Sequence, residues 1–177
     1  MQTIDRELVD KIDNSTYISF DIFNTAIIRK VLEPSDVFTL VQKHYESLID
    51  SSLVNYIQQR KQAEKKARKK NWQTRRVAEI TFAEIFDCFQ EDYGLDVCLV
   101  QTLQKLELEA EIELCHKNEY IFSLYRYCLS KQKKIVFISD MYLPSETIEK
   151  ILRSSGYEEF EELFVSADFQ KTKAQGD

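Results

Sequence analysis

The chain of 177 residues carries 24 Lys+Arg against 30 Asp+Glu, a formal net charge of −6, with 44% apolar and 12% aromatic residues. That balance suits one globular domain, or one domain with a large insertion. Only three glycines and two prolines are present, against a usual level of about 7% and 5%, and no two glycines stand close enough for a dinucleotide fingerprint or a P-loop. The two histidines, His44 and His116, exclude an HExxH zinc site. Cys88, Cys98, Cys115 and Cys128 lack CxxC spacing and read as reduced thiols packed like small apolar side chains. The start, MQTIDRELVDKIDN, is charged rather than an apolar leader, and no run approaches the ~18 apolar residues of a membrane span. A cytoplasmic protein is expected.

In chain order, the first element is the run Tyr17-Ile18-Ser19-Phe20, which leads into Asp21. Its aromatic and β-branched content without polar alternation predicts a strand buried on both faces. Pro34 then opens a helix whose apolar face is Val37, Phe38, Val41, Tyr45, Leu48 and Ile49. A second helix is predicted over residues 53–70, and Thr81-x-x-Glu84 forms a capping box ahead of Ile85, Phe86 and Phe89. Leu99, Leu103, Leu106, Ala110 and Leu114 make the seam of a further helix, and another over residues 119–130 returns the chain to a second strand. That strand is Lys134 to Ser139, followed at once by Asp140. Ile148, Ile151 and Leu152 then mark a helix over residues 145–155 that Gly156 stops at C′. A weaker run, Leu163-Phe164-Val165-Ser166, precedes Asp168. Strand, helix, strand over about 30 residues is a right-handed βαβ unit. The chain is therefore expected to be a parallel α/β core interrupted after its first strand by a helical insertion.

Charge is segregated within that insertion. Residues 60–76 hold nine Lys/Arg and one acid, Glu64, whereas residues 79–113 hold ten acids against Lys105 alone. The net-negative chain and the absence of an aromatic ladder disfavour nucleic acid. The expected arrangement is a solvated basic helix facing acids such as Glu107, Glu109, Glu111 and Glu113. An electropositive surface over a site for an anionic substrate is the other use considered. No nucleic-acid and no membrane partner is expected.

In a parallel sheet, ligands bind where the loops at the carboxyl ends of the strands converge, and Asp21, Ser139 and Asp140 stand at such ends. Phe20-Asp21-Ile22-Phe23-Asn24-Thr25 resembles motif I of the haloacid dehalogenase (HAD) superfamily. Ile138-Ser139-Asp140-Met141-Tyr142-Leu143-Pro144 is similar to motif II, and Val165 to Asp168 followed by Lys171-Thr172-Lys173 to the motif III region that supplies a lysine. The D-x-F-[DN]-T and S-D-M-Y-L-P wording resembles one bacterial subgroup. Its insertion also carries counterparts of Arg60, Ala63, Glu64, Ala67 and Arg68, and of the segment from Glu79 to Ile85. The resemblance implies an α/β fold with a Rossmannoid parallel sheet, incomplete at about three strands, and an all-helical cap after the first strand. Core segments would be 1–32 and 118–177, and the cap 33–117.

The resemblance also implies phosphoryl transfer from a small phosphorylated substrate through an aspartyl intermediate. Asp21 would be the nucleophile, Ser139 would bind a phosphoryl oxygen, Lys173 would offset charge, and Thr25 and Asn24 would hold the motif I loop and phosphate. Mg²⁺ would sit between Asp21 and the backbone carbonyl of Phe23. Two departures from the family pattern matter. Phe23 stands where phosphatases of this superfamily place the aspartate that protonates the leaving group, and Asn24, where the subgroup usually has Asp, cannot donate a carboxyl proton. Motif IV, with the remaining metal carboxylates, has no counterpart before Asp177, so a fragment of a longer protein, or a chain that completes its sheet with a partner, is expected, with the first strand exposed at the sheet edge and prone to self-association. The alternative is a non-catalytic relic of this fold, regulatory or scaffolding within a larger protein such as a glycosyltransferase. A receiver domain is disfavoured by the roughly 85-residue insertion.

Overall fold

A computed structural model of the protein describes residues 5–31, 33–46, 55–77 and 79–171. Its central sheet has three parallel strands, β1 (Tyr17–Asp21), β4 (Lys134–Ser139) and β5 (Glu162–Val165), in the order β1-β4-β5. Asp21 lies opposite Ile138 and Ser139 opposite Val165. The chemistry-bearing residues therefore finish together at one end of the sheet. The middle strand carries the core: Ile135 and Phe137 are fully buried. Rings of Phe20, Tyr125, Tyr157 and Phe160 surround Phe137 at centroid distances of 5.8, 6.4, 5.4 and 5.4 Å, within the range where aromatic pairs attract.

The flanking helices follow their sequence signals. Helix α6 (Glu119–Ser130) starts at Asn118, whose side chain accepts from Tyr120 N–H, and α7 (Ser145–Ser154) ends before Gly156. Gly156 has φ +95°, a left-handed conformation that a side chain would strain. Ahead of β1 lies α1 (Arg6–Asp13), which the charged start had not signalled. The Asp5 side chain caps it, and Tyr127 Oη donates to Asp13 at 2.8 Å to tie it to α6.

Between β1 and β4 the chain leaves the sheet through a short antiparallel ribbon, β2 (Ile27–Arg29) paired with β3 (Cys115–Lys117). Two three-residue strands carry too little periodicity to be read from sequence. Beyond the ribbon come a 3-10 turn at Pro34–Asp36 and the helices α2 (Val37–Glu46), α3 (Tyr56–Arg75), α4 (Phe82–Tyr93) and α5 (Val97–Leu114). Leu48, Ile49 and Leu53, assigned to helices from sequence, lie outside the described residues.

The capping box forms as expected. Thr81 Oγ1 accepts from Glu84 N–H at 3.2 Å, and Glu84 Oε2 accepts from Thr81 N–H at 2.9 Å. Burial raises the Glu84 carboxyl, but Thr81 N–H, Asn71 and Arg75 donate to it and hold it below the usual carboxylate range. A folded pKa below the unfolded one adds stability that is present above the unfolded value, about 4.3, and is lost as pH falls through the folded one. Thr81→Ala is expected to cost about 1 kcal/mol. Glu84→Gln is expected to flatten the fall in thermal midpoint between roughly pH 5 and 3, and an unchanged acid limb would count against it.

Helix α5 departs from the leucine seam. Its deepest positions are Val100, Leu103, Glu107 and Glu111, while Leu99, Leu106, Ala110 and Leu114 are only half-buried. The helix is turned so that two carboxylates face inward, because each meets an arginine there. Glu107 takes two hydrogen bonds from Arg60, at 2.9 and 2.7 Å, and one from Tyr56 Oη at 2.8 Å. Glu111 takes two from Arg29, at 2.9 and 3.3 Å. The basic run thus faces an acidic neighbour only in part, and at Arg60–Glu107 the pair is buried rather than solvated. All four cysteines are free thiols, three of them buried. Burial pushes the Cys115 thiol up to about 12 and that of Cys128 to about 11, so neither is a reactive thiolate.

Candidate active site

The loop after β1 is folded by its own backbone. The Asp21 carbonyl accepts from Ala26 N–H at 3.2 Å, and the Ile22 carbonyl accepts from Thr25 and Ile27 N–H at 3.3 and 2.8 Å. Asn24 takes φ +61°, a left-handed turn conformation that Asn tolerates better than most residues. Ile22 and Ala26 are fully buried and anchor the loop from below. Thr25 Oγ1 then donates to Asp21 Oδ2 at 2.6 Å, which fixes the carboxylate at the mouth of the sheet while leaving it exposed to solvent.

A cavity of about 540 Å³ opens above this end of the sheet, within the usual size range of small-molecule sites. From the core it is lined by Asp21, Phe23, Asn24 and the run Ser139 to Tyr142. Ribbon and helices complete it with Arg29, Pro34, Ser35, Phe38, Lys61, Glu64 and Glu111. The structure therefore brings Asp21, Phe23, Asn24 and Ser139 onto one cavity, with Thr25 behind Asp21. Ser139 is buried at the end of the central strand. Asp140 also lines the cavity, and α7 begins after Pro144, which makes no side-chain cap. Lys173 lies outside the described residues. No histidine lines the cavity among the described residues; His44 is exposed on α2 and His116 sits half-buried in β3.

Sequence reading missed the upper wall. Arg29 lies over the Phe23 ring at 4.4 Å from its centroid, a cation–π contact, while its salt bridge to Glu111 is buried. Burial raises the Glu111 carboxyl above the usual range against the pull of Arg29. Glu64 is held by Arg68 at 2.9 Å and lies 3.7 Å from Arg60. The acids at 64 and 111 sit with the cations at 29 and 61, so this wall offers both hydrogen-bond donors and acceptors. Only the alternation of Arg60, Glu64 and Arg68 along α3 hinted at it.

Two further contacts seat the helical insertion over the sheet. Phe82 N–H donates to the Tyr142 carbonyl at 2.8 Å, and Ser166 Oγ donates to Glu79 at 2.8 Å in a buried pair. For a cation, the cavity offers the carboxylates of Asp21 and Asp140, those of Glu64 and Glu111 being held by arginines. Among the described residues no three His, Cys, Asp or Glu side chains converge on one point. One or two carboxylates plus substrate phosphate oxygens is the usual Mg²⁺ arrangement, and the donor set fits it. Among the described residues no helix is long and apolar enough to cross a membrane.

No protein-family model matches the chain, and no curated protein sequence matches it. Several solved structures are similar, among them two that cover most of this chain. One is a dehalogenase, at 12% identity and a TM-score of 0.47 over 91% of this chain and 66% of that one. The other is the HAD-hydrolase YfnB from Bacillus subtilis bound to magnesium, at 19% identity and a TM-score of 0.49 over 86% of this chain and 65% of that one. The chain thus spans slightly less than two thirds of the length of either structure.

Proposed function

We propose that the protein is a HAD-like hydrolase domain, a Mg²⁺-dependent phosphatase acting on a small phosphorylated metabolite or sugar. The observation that carries this reading is the placement of Asp21 and Ser139 on one cavity, at the carboxyl ends of adjacent parallel strands, with Thr25 donating to Asp21. A carboxylate held in that way attacks phosphorus in line and forms an aspartyl phosphate as the leaving oxygen departs; water then hydrolyses it. Ser139 donates to an equatorial phosphoryl oxygen, and Lys173 balances the charge gathered by nucleophile and phosphate. Asp21 and the Phe23 carbonyl would hold a magnesium ion, which would supply charge neutralisation. The test is Mg²⁺-dependent release of phosphate from an aryl phosphate by the full-length protein.

Phe23 shapes what the site accepts. Two residues after the nucleophile it presents a ring capped by Arg29, so no carboxyl there protonates the leaving oxygen. Proton transfer by a placed acid is typically worth about 10²–10⁴ in rate, and its loss falls on substrates with basic leaving groups. Turnover is expected to drop steeply from aryl to alkyl phosphates. Phe23→Asp is expected to narrow that gap by about tenfold, short of what a fully positioned acid supplies. A leaving-group dependence identical in the two proteins would argue that Phe23 has no bearing on proton transfer.

A further inference from the structure

Helix α3 has a face that neither the core nor the acidic helices use. At about 100° of arc per residue, Lys61, Lys65, Arg68, Lys69 and Trp72 fall within about 100° of one another, and Arg76 follows at the left-handed C-cap. All six are exposed. The other cations of the helix are paired elsewhere: Lys66 with Asp92 and Glu91, Lys70 with Glu91, Arg75 with Glu84, and Arg60 with Glu107. On the exposed face only Arg68 meets an acid, the helix's single Glu64. Among the described residues none of Lys61, Lys65, Lys69 and Arg76 forms an ion pair with a carboxylate. The helical stripe therefore runs about 16 Å, from Lys61 to Trp72 at a rise of about 1.5 Å per residue, without an acid on it. Trp72 stands at its end at 54% exposure.

We propose that this face of α3 is a docking surface for an anionic lipid bilayer, with Trp72 as its interfacial anchor. Shape favours that partner. One face of a 20-residue helix is a convex ridge that meets a plane along its length, whereas a single-stranded nucleic acid needs a groove and successive aromatic platforms, and one tryptophan supplies neither. The chemistry agrees. Lysine and arginine are drawn to anionic headgroups within about a Debye length, and an indole among them belongs at the headgroup level. The chain as a whole is negative, so the attraction is confined to this face and orients the molecule. Lys61 also lines the cavity above Asp21, so docking would bring the cavity's rim to the lipid headgroups. A peripheral contact needs no spanning segment, the feature on which the sequence expectation of no membrane partner rests.

Trp72 is the only tryptophan in the chain, so its emission reports the contact without a label. Vesicles of phosphatidylserine and phosphatidylcholine in equal parts are expected to shift that emission to the blue, with a partition coefficient that falls steeply with salt. Pure phosphatidylcholine vesicles are expected to leave it unchanged. The variant Lys65→Glu/Lys69→Glu/Arg76→Glu keeps Lys61 and the cavity intact. It is expected to lose partitioning by on the order of 100-fold or more with an unchanged thermal midpoint. The proposal is overturned if anionic vesicles leave the emission unmoved at low salt, if neutral vesicles bind equally, or if the triple variant binds as well as the wild type. It is equally overturned if a single-stranded oligonucleotide quenches Trp72 while anionic vesicles do not, which would make the stripe a nucleic-acid surface. None of these readouts depends on hydrolytic activity.

Discussion

Asp21→Asn is expected to lower phosphate release from an aryl phosphate by about 10⁴-fold or more, with no loss of folding stability. The amide keeps the size of the carboxylate and an oxygen that accepts from Thr25 Oγ1, now 2.6 Å from Asp21 Oδ2. It removes the negative charge and the nucleophilic lone pair. Asp21 is solvent-exposed, so the substitution breaks no buried pairing. The measurement is steady-state turnover with and without Mg²⁺, beside a thermal melt. Turnover unchanged by the substitution would remove Asp21 from the reaction and leave the non-catalytic reading of the domain, whose role would then lie in what its surfaces bind.

Arg60→Met is expected to destabilise the protein by about 3–5 kcal/mol. The guanidinium is fully buried, yet its pKa lies above the ordinary value: burial works against its charge, and Glu107 with Tyr142 and Tyr56 together outweigh it. Its carbon also sits 4.9, 5.3 and 5.4 Å from the ring centroids of Phe38, Phe86 and Tyr142. Removing it leaves the Glu107 carboxylate in an apolar interior with only Tyr56 as donor among the described residues, and an uncompensated buried charge is the costly state. The double variant Arg60→Met/Glu107→Leu is expected to recover most of the loss, since a buried pair replaced by apolar groups of similar volume is often neutral. Urea denaturation of the three proteins forms the cycle. A double variant no more stable than the single one would show that packing around the guanidinium, rather than its charge, is what the fold needs. Because Tyr142 belongs to the segment after β4, the same cluster joins the helical insertion to the wall of the cavity, and activity should fall with stability in the single variant.

Much was legible in one dimension because it rests on local chemistry. The strand runs ending at Asp21 and Ser139, the Thr81–Glu84 capping box, the Gly156 stop and the helix over Glu119–Ser130 are each specified by residues within one or two turns of one another. Parallel pairing of β4 and β5 then follows from their βαβ order, whereas the meeting of Asp21 and Ser139 rests on the pairing of β1 with β4, 117 residues apart. What stayed hidden depends on partners far apart in the chain. The ribbon of β2 and β3 pairs residues about 90 positions apart and is too short to announce itself. The inward turn of α5 contradicts its leucine spacing because Arg29 and Arg60, 82 and 47 residues away from their acids, neutralise Glu111 and Glu107. Charge alone could not separate the cations of α3 that pair with α4 and α5 from those that face outward; only the packing of the helices decides that, since an ion pair is a property of distance in space. Sequence composition fixed which groups exist, and tertiary contact decided which of them are spent in the interior and which remain at the surface.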